Sequence, residues 1–399
     1  MTKIQVEKMD SVALRQGKEQ MLEANHDTRG VRLIFVARKF ANMAGGLERI
    51  SIDLMNEMVN RGHSVGLMTW DSSEAASHYQ MDPRIVWLKL NIGDPAIPAG
   101  FHVKIARLRK FRSFISSFKP DVILGFQSGA ALFSRVATVG MKTKIIAAER
   151  VSPDMWKYVR TGFFNRITDI YALGFADRIT VQFPTYIEKY PRFLRKKMVA
   201  IYNPVVPAGE MNRPPNEHGE KVLLYVARLC FQKNHRLLLD AFAQVHENFD
   251  DWKLVLIGDG DYDSLLHEQV AQLGLKQRVV FCGAVKDVDS WYRSADLVAF
   301  PSLFEGFPNA LAESLSWGIP CVGLKDTLGV NSMIKEGVNG LLVDSTVEAF
   351  ATGLAALMGD ASRRRRMSRN AREIASMYSP QASYDLWESL IKQLTVCND

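Results

Sequence analysis

The sequence predicts an α/β protein with two doubly wound, Rossmann-like domains that face each other across a cleft. The chain has 399 residues, which exceeds the usual size of a single hydrophobic core. Short apolar runs alternate with stretches of helical spacing, the pattern of parallel sheets covered by helices. This alternation starts near residue 31 and restarts near residue 221, after the proline-rich stretch 203–220, which cannot continue a helix.

The first domain is predicted over residues 31–205, after a polar extension at 1–30 that lacks the apolar segment of a signal peptide. Its first strand is "VRLIFVAR", and two glycines open the helical stretch that follows. Apolar residues then recur at three- and four-residue steps, as in an amphipathic helix. The strands are predicted at 31–38, 64–70, 121–126 and 144–150.

The second domain is predicted over residues 206–380 and begins with the strand "KVLLYVARL". A final segment, 381–399, contains an amphipathic helix that we expect to pack back on the first domain. The pattern favours parallel strands, whose carboxyl ends form the ligand-binding edge of a doubly wound sheet. The strands are predicted at 221–229, 253–260, 279–285, 297–302 and 320–324.

The charge is unevenly distributed along the chain. Residues 1–206 carry 31 Lys and Arg against 18 Asp and Glu, a net charge of +13, whereas residues 207–399 carry 19 against 25, a net charge of −6. The first half is therefore expected to face an anionic partner. Nucleic acid is not expected, because no helix-turn-helix, zinc or stacking-sheet signature is present. Four widely spaced cysteines indicate a reduced, cytosolic protein without a structural zinc.

A basic amphipathic helix is predicted at 101–120, and the stretch "YPRFLRKKM" at 190–198 adds further basic and aromatic residues. One interpretation places the helix on an anionic lipid surface. The other packs its apolar side chains into the core and leaves a solvated basic face. The charge of the whole first half favours the membrane interpretation. The cations of the helix are Lys104, Arg107, Arg109, Lys110 and Arg112.

Two glutamates flank the start of a helix predicted over 309–317. Glu305 lies in the loop before it and Glu313 lies about one turn inside. The free amides and dipole of a helix start can hold an anion. Carboxylates can accept hydrogen bonds from vicinal diols, so the pair is suited to a sugar at one end and a ribose at the other. The alternative is that Glu305 caps the helix and Glu313 is solvated.

Two cations, Arg228 and Lys233, follow the first strand of the second domain. An arginine fork and a lysine point charge can together clamp a diphosphate. The alternative is a pair of ordinary surface cations near a helix start. In the first domain, Gly45 and Gly46 let the backbone approach a ligand closely, although a simple turn explains them equally well.

Together these stretches resemble the retaining GT-B glycosyltransferases of the "group 1" family. The similarity covers roughly residues 31–380 and is densest over 221–345. It rests on the E-x7-E segment, the R-x4-K pair, the "IGDG" turn at 257–260 and the turn at Gly45 and Gly46 in the first domain, in the expected order.

The resemblance implies a role for each matching position. Glu305 is expected to bond hydroxyls of the donor sugar and Glu313 the donor ribose, while Arg228 and Lys233 neutralise the departing nucleotide diphosphate. The amides of one helix start would meet the distal phosphate, a glycine pair would approach the diphosphate, and one backbone stretch would meet the nucleobase. These positions are, in that order, Asn309, Ala310 and Leu311; Gly45 and Gly46; and Gly283, Ala284 and Val285.

The segment "IIAAERVSP" departs from the family pattern. Glu149 and Arg150 stand where several members carry a histidine, and this version resembles transferases that build bacterial exopolysaccharide and O-antigen repeat units. Glu149 is expected at the reactive site, in contact with the donor sugar or the acceptor, with Arg150 as its ion-pair partner. Asp259 and Asp261 form a D-x-D metal signature of other glycosyltransferases, but here we interpret them as turn residues and expect no metal site.

The resemblance implies a hexosyltransferase of polysaccharide biosynthesis, in which the domain at 31–205 binds the acceptor and the domain at 206–380 binds the nucleotide sugar. The donor would be a UDP-sugar, favoured over a GDP-sugar, that carries a hexose or an N-acetylhexosamine. The acceptor would be a polyprenyl-diphosphate-linked saccharide, and no cofactor beyond the donor is expected. The enzyme would be cytoplasmic and peripheral on the inner face of the cell membrane. A nucleotide-sugar epimerase of the same fold is the alternative.

Overall fold

The computed structural model describes most of the chain from Gly30 to Val396. The predicted extension at 1–30 lies outside the described residues except for Gly30, as does the central part of the predicted linker. The described stretches are 30–41, 45–95, 97, 99–126, 128–159, 163–209 and 219–396.

The chain divides into two compact units. The first unit contains the described residues up to Arg150, those from 163 to Ile201, and those from Tyr384 onward. The second unit contains residues 151–159 and the described residues between Tyr202 and Ser383. The chain thus crosses between units close to the boundary predicted at 205/206. The assignment of acceptor binding to one domain and nucleotide-sugar binding to the other stays a prediction.

The first unit contains a seven-stranded parallel sheet with the order β3-β2-β1-β4-β5-β6-β7. Its central strand, Val122–Phe126, is buried throughout, as expected when helices cover both faces of a sheet. The strands are β1 (Arg32–Ala37), β2 (Ser64–Thr69), β3 (Val86–Lys89), β4 (Val122–Phe126), β5 (Lys144–Ala148), β6 (Arg178–Val181) and β7 (Met198–Ala200).

The second unit contains a six-stranded parallel sheet with the order β10-β9-β8-β11-β12-β13. The two sheets confirm the predicted pair of doubly wound folds. The strands are β8 (Lys221–Val226), β9 (Trp252–Ile257), β10 (Val279–Phe281), β11 (Leu297–Phe300), β12 (Cys321–Leu324) and β13 (Gly340–Val343).

Helices connect the strands in both units. In the first unit they are α1 (Gly46–Asn60), α2 (Phe101–Phe118), α3 (Ser128–Ala137), α4 (Phe163–Gly174), α5 (Pro184–Ile187) and α6 (Arg192–Arg195). In the second they are α7 (His235–Val245), α8 (Asp263–Gln272), α9 (Asp289–Ser294), α10 (Asn309–Ser316), α11 (Val330–Met333), α12 (Val347–Met358), α13 (Ala361–Ala371) and α14 (Glu373–Met377). Single 3-10 turns lie at Met155–Lys157, Phe231–Lys233 and His246–Asn248. None of the helices described is long and apolar enough to cross a bilayer.

The last helix, α15 (Pro380–Val396), packs on the first unit, which confirms the prediction. Trp387 and Ile391 join the same core as Phe35 of β1. At the edge of this contact the Arg61 guanidinium donates to the Glu388 carboxylate at 2.7 Å. Apolar burial and a charge-assisted bond therefore hold the end of the chain against the beginning of the described fold.

Helix α2 uses its apolar stripe inside the first unit. Phe111 is fully buried and stacks on Phe133 of α3, with ring centroids 5.6 Å apart. Arg107, counted from the sequence among the solvated cations, is instead buried and donates to the carbonyls of Ile92 and Gly93. The structure therefore supports the core-packing interpretation of this helix rather than the lipid-facing one.

Candidate active site

The strand order of the second unit creates a topological switch point. From β8 the chain moves outward through β9 and β10, whereas from β11 it moves outward in the other direction through β12 and β13. The loops that follow β8 and β11 therefore diverge to opposite faces of the sheet, and the crevice between them is the usual ligand site of such folds. Arg228 and Lys233 lie in the loop after β8, and Glu305 lies in the loop after β11.

Hydrogen bonds join these two loops. The Leu303 amide donates to the Gln232 carbonyl at 2.9 Å, and the Gln232 side-chain amide donates to the Phe304 carbonyl at 2.8 Å. Asn234 ends the first loop in the left-handed conformation, with φ 51°, which asparagine tolerates better than most residues. The two loops consequently hold Lys233 and Glu305 at fixed positions.

Lys233 and Glu305 form a largely buried ion pair. The Lys233 Nζ lies 2.5 Å from Glu305 Oε1, and the side chains are 16% and 7% exposed. The two residues are 72 positions apart in the chain, and β8 and β11 bring them together as neighbouring strands. A cation that can bind phosphate and a carboxylate that can bind sugar hydroxyls thus lie in direct contact.

Tyr225, at the end of β8, supports the loop that carries Lys233. Its hydroxyl donates to the Lys233 carbonyl at 2.8 Å, and it lies 3.0 Å from the Ser302 hydroxyl, which is then the donor to it. Burial raises the pKa of Tyr225 well above its usual value, the bond to Ser302 opposes this, and the Glu305 charge adds to it. The phenol therefore stays protonated and remains a hydrogen-bond donor.

His235, the first residue of α7, lies behind the same loop. It is 2% exposed, and its ring lies 4.7 Å from that of Tyr225. Burial and the charge of Lys233 lower the pKa of His235 to about 3. The imidazole is therefore neutral at physiological pH and adds no second positive charge beneath the lysine.

The glycine turn after β9 supports Arg228. Gly258 and Gly260 have φ values of +132° and +151°. A Cβ on Gly258 would lie 2.1 Å from the Ala227 carbonyl oxygen, and a Cβ on Gly260 would lie 2.5 Å from the Leu229 carbonyl oxygen. Only glycine permits this close approach. The Arg228 side chain is exposed, and no hydrogen bond or ion pair engages it within the described part of the chain.

The start of α10 follows Glu305 by four residues. By helix geometry the first-turn amides of Ala310 and Leu311 have no acceptor within the helix. The Asn309 amide donates to the Phe307 carbonyl at 2.9 Å, so its predicted contact with phosphate requires that this bond is given up. Glu313 is half-buried and accepts a hydrogen bond from the Tyr292 hydroxyl at 3.1 Å, so it is not simply solvated.

The stretch predicted to meet the nucleobase follows β10. Gly283 has φ +63°, and its carbonyl accepts a hydrogen bond from the Gly258 amide at 2.8 Å. Ala284 is exposed and Val285 is half-buried. This stretch therefore lies beside the glycine turn that supports Arg228. No cluster of three or more His, Cys, Asp or Glu side chains is placed to hold a metal ion among the residues described.

In the first unit, Gly45 precedes α1 and Gly46 is its first residue; Ala44 lies outside the described residues. Gly45 has an ordinary φ of −80°, but a Cβ on it would lie 2.2 Å from a carboxylate oxygen of Glu48. A larger residue at position 45 would have to displace the Glu48 carboxylate, a contact that the sequence did not reveal. Whether the two glycines also meet a diphosphate stays a prediction.

Glu149 follows β5, and its backbone is held on both sides. Its amide donates to the Thr180 carbonyl, and its own carbonyl accepts a bond from the Gln182 side chain, both at 2.9 Å. The Arg150 guanidinium lies 5.1 Å above the Trp387 ring of α15. Burial lowers the pKa of Arg150 to about 10, and the Glu149 charge opposes this. Arg150 therefore packs on the last helix besides facing Glu149.

Sequence reasoning missed two aromatic residues of this region. The sequence pattern places Tyr225 only within a strand, although its hydroxyl holds the backbone of Lys233. Tyr158 belongs to the short segment of the second unit that precedes α4, and its ring stacks on Phe304, with centroids 5.7 Å apart. Tyr225 sits in an otherwise aliphatic strand, and a buried phenol there signals a hydrogen-bond partner; no comparable signal pointed to Tyr158.

Comparison with known proteins shows which family the chain resembles. A sequence profile described as "Glycosyl transferases group 1" matches residues 209–374. The chain is 32% identical over 255 residues to the lipopolysaccharide 1,6-galactosyltransferase of Escherichia coli K12, a match that covers 62% of this chain and 67% of that enzyme. It is 26% identical over 361 residues, 88% of this chain and 96% of the relative, to the GalNAc-alpha-(1->4)-GalNAc-alpha-(1->3)-diNAcBac-PP-undecaprenol alpha-1,4-N-acetyl-D-galactosaminyltransferase of Campylobacter jejuni.

Solved structures share the fold. The Anabaena protein HepE, crystallised with UDP and glucose, superposes with a TM-score of 0.72 at 19% identity, over 90% of this chain and 99% of that one. The two doubly wound sheets and the switch-point loops thus define a GT-B glycosyltransferase. The chain belongs to the group 1 glycosyltransferase family and transfers sugars in glycan biosynthesis, as a homologue of bacterial lipopolysaccharide and exopolysaccharide glycosyltransferases.

Proposed function

We propose that this enzyme is a retaining transferase that moves a hexose or an N-acetylhexosamine from a UDP-sugar to a lipid-linked saccharide. One observation carries the proposal. The second unit places a cation, Lys233, against a carboxylate, Glu305, at its switch point, four residues before the start of α10. A nucleotide diphosphate sugar offers both partners that this arrangement requires, a pyrophosphate and a set of vicinal hydroxyls.

The chemistry follows from where charge develops. When the bond between the anomeric carbon and the phosphate oxygen breaks, the diphosphate gains negative charge and the sugar gains oxocarbenium character. Lys233, Arg228 and the first amides of α10 would stabilise the leaving diphosphate, an interaction that strengthens toward the transition state. Each charge-assisted bond of this kind contributes about 1.5–3 kcal/mol.

Glu305 would orient the donor by accepting hydrogen bonds from sugar hydroxyls, while Glu313 would hold the ribose. In a retaining reaction the acceptor hydroxyl attacks from the face that the diphosphate leaves. Its proton then passes to the departing phosphate oxygen, so no protein base is required. In the first unit, Gly45 and Gly46 would approach the diphosphate, and Glu149 would contact the donor sugar or the acceptor.

The choice of donor and acceptor is supported by the relatives. The name of the Campylobacter jejuni enzyme describes an undecaprenol-diphosphate-linked acceptor, and HepE binds UDP and glucose in its crystals. The net charge of +13 over residues 1–206 suits an enzyme that works at an anionic membrane. A nucleotide-sugar epimerase remains the competing function because it would use the same donor site.

The test is incubation with a panel of UDP- and GDP-sugars, with and without a polyprenyl-diphosphate-linked saccharide. Release of nucleotide diphosphate only when acceptor is present, together with a longer saccharide that keeps the donor's anomeric configuration, is the expected result. Interconversion of the sugar nucleotide without release would indicate the epimerase and refute the proposal.

The matched variants are Lys233→Met and Lys253→Met. Lys253 pairs with Glu220 at 2.8 Å in the same unit, but both of these side chains are more than a third exposed. Lys233→Met should abolish acceptor-dependent release, whereas Lys253→Met should leave it unchanged. Equal activity of the two variants would show that the diphosphate does not bind at Lys233.

A further inference from the structure

Three aromatic side chains form an exposed surface on the first unit, remote in sequence from α2. Tyr171, Phe175 and Phe193 are 60%, 56% and 53% exposed, and we call them the aromatic patch. The rings of Tyr171 and Phe193 stack with centroids 5.8 Å apart. Phe175 follows the end of α4, one turn after Tyr171, and a Cβ built on the preceding Gly174 would lie 3.8 Å from the Phe193 ring, so Phe193 lies beside this helix end.

The patch extends to the end of α3. Arg135 donates from Nε to the Phe175 carbonyl at 2.8 Å, and the next residue, Val136, is 47% exposed. Val139, just beyond α3, is 63% exposed. Single exposed apolar residues are normal on a protein surface, but a contiguous aromatic and aliphatic surface is typical of an interaction site.

Four exposed cations lie close to Phe193 in the sequence. Lys189, Arg192, Arg195 and Lys196 are exposed in the short segment that carries Phe193, where Glu188 is the acid. The Arg195 guanidinium donates to the carbonyls of Tyr190 and Glu188, which fixes this segment on the surface. Exposed aromatic rings bordered by Lys and Arg are the combination that binds the headgroup region of an anionic bilayer.

We propose that the aromatic patch and its cations are the surface by which this enzyme docks on an anionic membrane. The inference relies on the proposed function only in that the acceptor is lipid-linked. It replaces α2 as the lipid-facing element, because Phe111, Phe114, Ile115 and Phe118 of α2 lie in the core while the rings of the patch lie outside it. Charge complementarity favours lipid over a second copy of this positively charged unit.

The experiment measures sedimentation of the full-length protein with phosphatidylcholine vesicles that contain or lack phosphatidylglycerol. The wild type should bind the anionic vesicles and not the neutral ones. Phe175→Ser combined with Phe193→Ser should weaken binding about tenfold or more, and so should Arg192→Gln combined with Lys196→Gln. Phe101→Ser is the control. Phe101 on α2 is 73% exposed but does not belong to the aromatic patch.

Transfer to a short, water-soluble saccharide acceptor is measured on the same variants. The patch variants should keep this activity while they lose activity on vesicle-bound acceptor, which separates docking from catalysis. If the wild type transfers to the soluble acceptor but does not bind anionic vesicles, the docking proposal is wrong and the proposed function stands. Loss of binding in Phe101→Ser but not in the patch variants would return the lipid contact to α2.

Sedimentation velocity provides the remaining arm. If the wild type self-associates and Phe175→Ser with Phe193→Ser makes it monomeric without changing vesicle binding, the patch is an interface between two copies of the chain. That result would overturn the membrane assignment.

Discussion

Replacing Lys233 by methionine tests the ion pair at the centre of the site. The Glu305 side chain is 7% exposed and pairs with the amine of a Lys233 side chain that is 16% exposed, so loss of the amine leaves a carboxylate that water hardly reaches. Removal of one partner from a buried pair typically costs about 3–5 kcal/mol. Because the lysine end retains some contact with solvent, we expect Lys233→Met to lower the free energy of unfolding by about 3 kcal/mol.

A double-mutant cycle separates the pair from its surroundings. Glu305→Gln removes the other charge, and the amine of Lys233 can then turn toward solvent, so a smaller loss of about 1–2 kcal/mol is expected. The double variant Lys233→Met, Glu305→Gln should be more stable than the sum of the single losses predicts, by about 2 kcal/mol. Lys253→Met is the control. Its pair with Glu220 is 37% and 40% exposed, and pairs of this kind contribute less than about 1 kcal/mol.

The assay is urea unfolding followed by circular dichroism and tryptophan fluorescence, with the midpoint and the slope compared across the four variants and the wild type. Equal losses for Lys233→Met and Lys253→Met would refute the reasoning, because they would mean that water screens both pairs alike. Purely additive losses in the cycle would refute it as well, since the two side chains would then not interact.

Three further predictions concern residues that lie behind Lys233 or support Arg228. For His235, the folded pKa is about 3 and the unfolded value is about 6.5, so only the unfolded chain takes up the proton as the pH falls through this range. The stability contribution is therefore complete above pH 6.5 and is lost on acidification, by about 2 kcal/mol between pH 7 and pH 5. His235→Phe should remove this part of the pH dependence of urea unfolding; an unchanged slope would contradict it. Gly260→Ala should cost more than Gly274→Ala, because an added Cβ meets the Leu229 carbonyl at 2.5 Å in the first case and open space in the second, although both have positive φ. Comparable urea midpoints for the two variants would contradict this. Tyr225→Phe removes the hydroxyl that donates to the Lys233 carbonyl, so we expect the free energy of unfolding to fall by about 1 kcal/mol. The value of kcat/KM should fall as well. Full activity would show that the loop that carries Lys233 does not need this hydrogen bond.

The fold was predictable because its pattern is regular along the chain. Parallel strands that are buried on both faces appear as short apolar runs, and β1, β5, β8 and β11 each lie inside a predicted run. The C-terminal helix was predictable for the same reason, since Trp387, Leu390, Ile391 and Leu394 mark one apolar face. What the sequence lacked was the strand order, which alone makes β8 and β11 neighbours.

The pairing of Lys233 with Glu305 was unpredictable for that reason. Each residue was identified singly, as a phosphate cation and a sugar-binding acid, from patterns local to its own loop. That the two neutralise one another across 72 positions depends on a contact between neighbouring strands. The same holds for the glycine turn, whose function in fixing the backbone around Arg228 is visible only from the distances to Ala227 and Leu229.

The net charge of a sequence segment does not identify which surface contacts a membrane. The net charge of the first half does not say which cations remain at the surface, and α2 looked like the lipid contact because its cations and apolar residues alternate. In the folded chain the Arg107 guanidinium is bound to loop carbonyls and that of Arg112 to the carbonyls of Ala137 and Val139. A cation whose donors are bound to backbone oxygens has fewer left for lipid phosphate. Of the cations around Phe193, Arg195 is bound in the same way, whereas Arg192 and Lys196 are exposed beside rings that the core leaves uncovered. Apolar contact adds to charge only where both are exposed together.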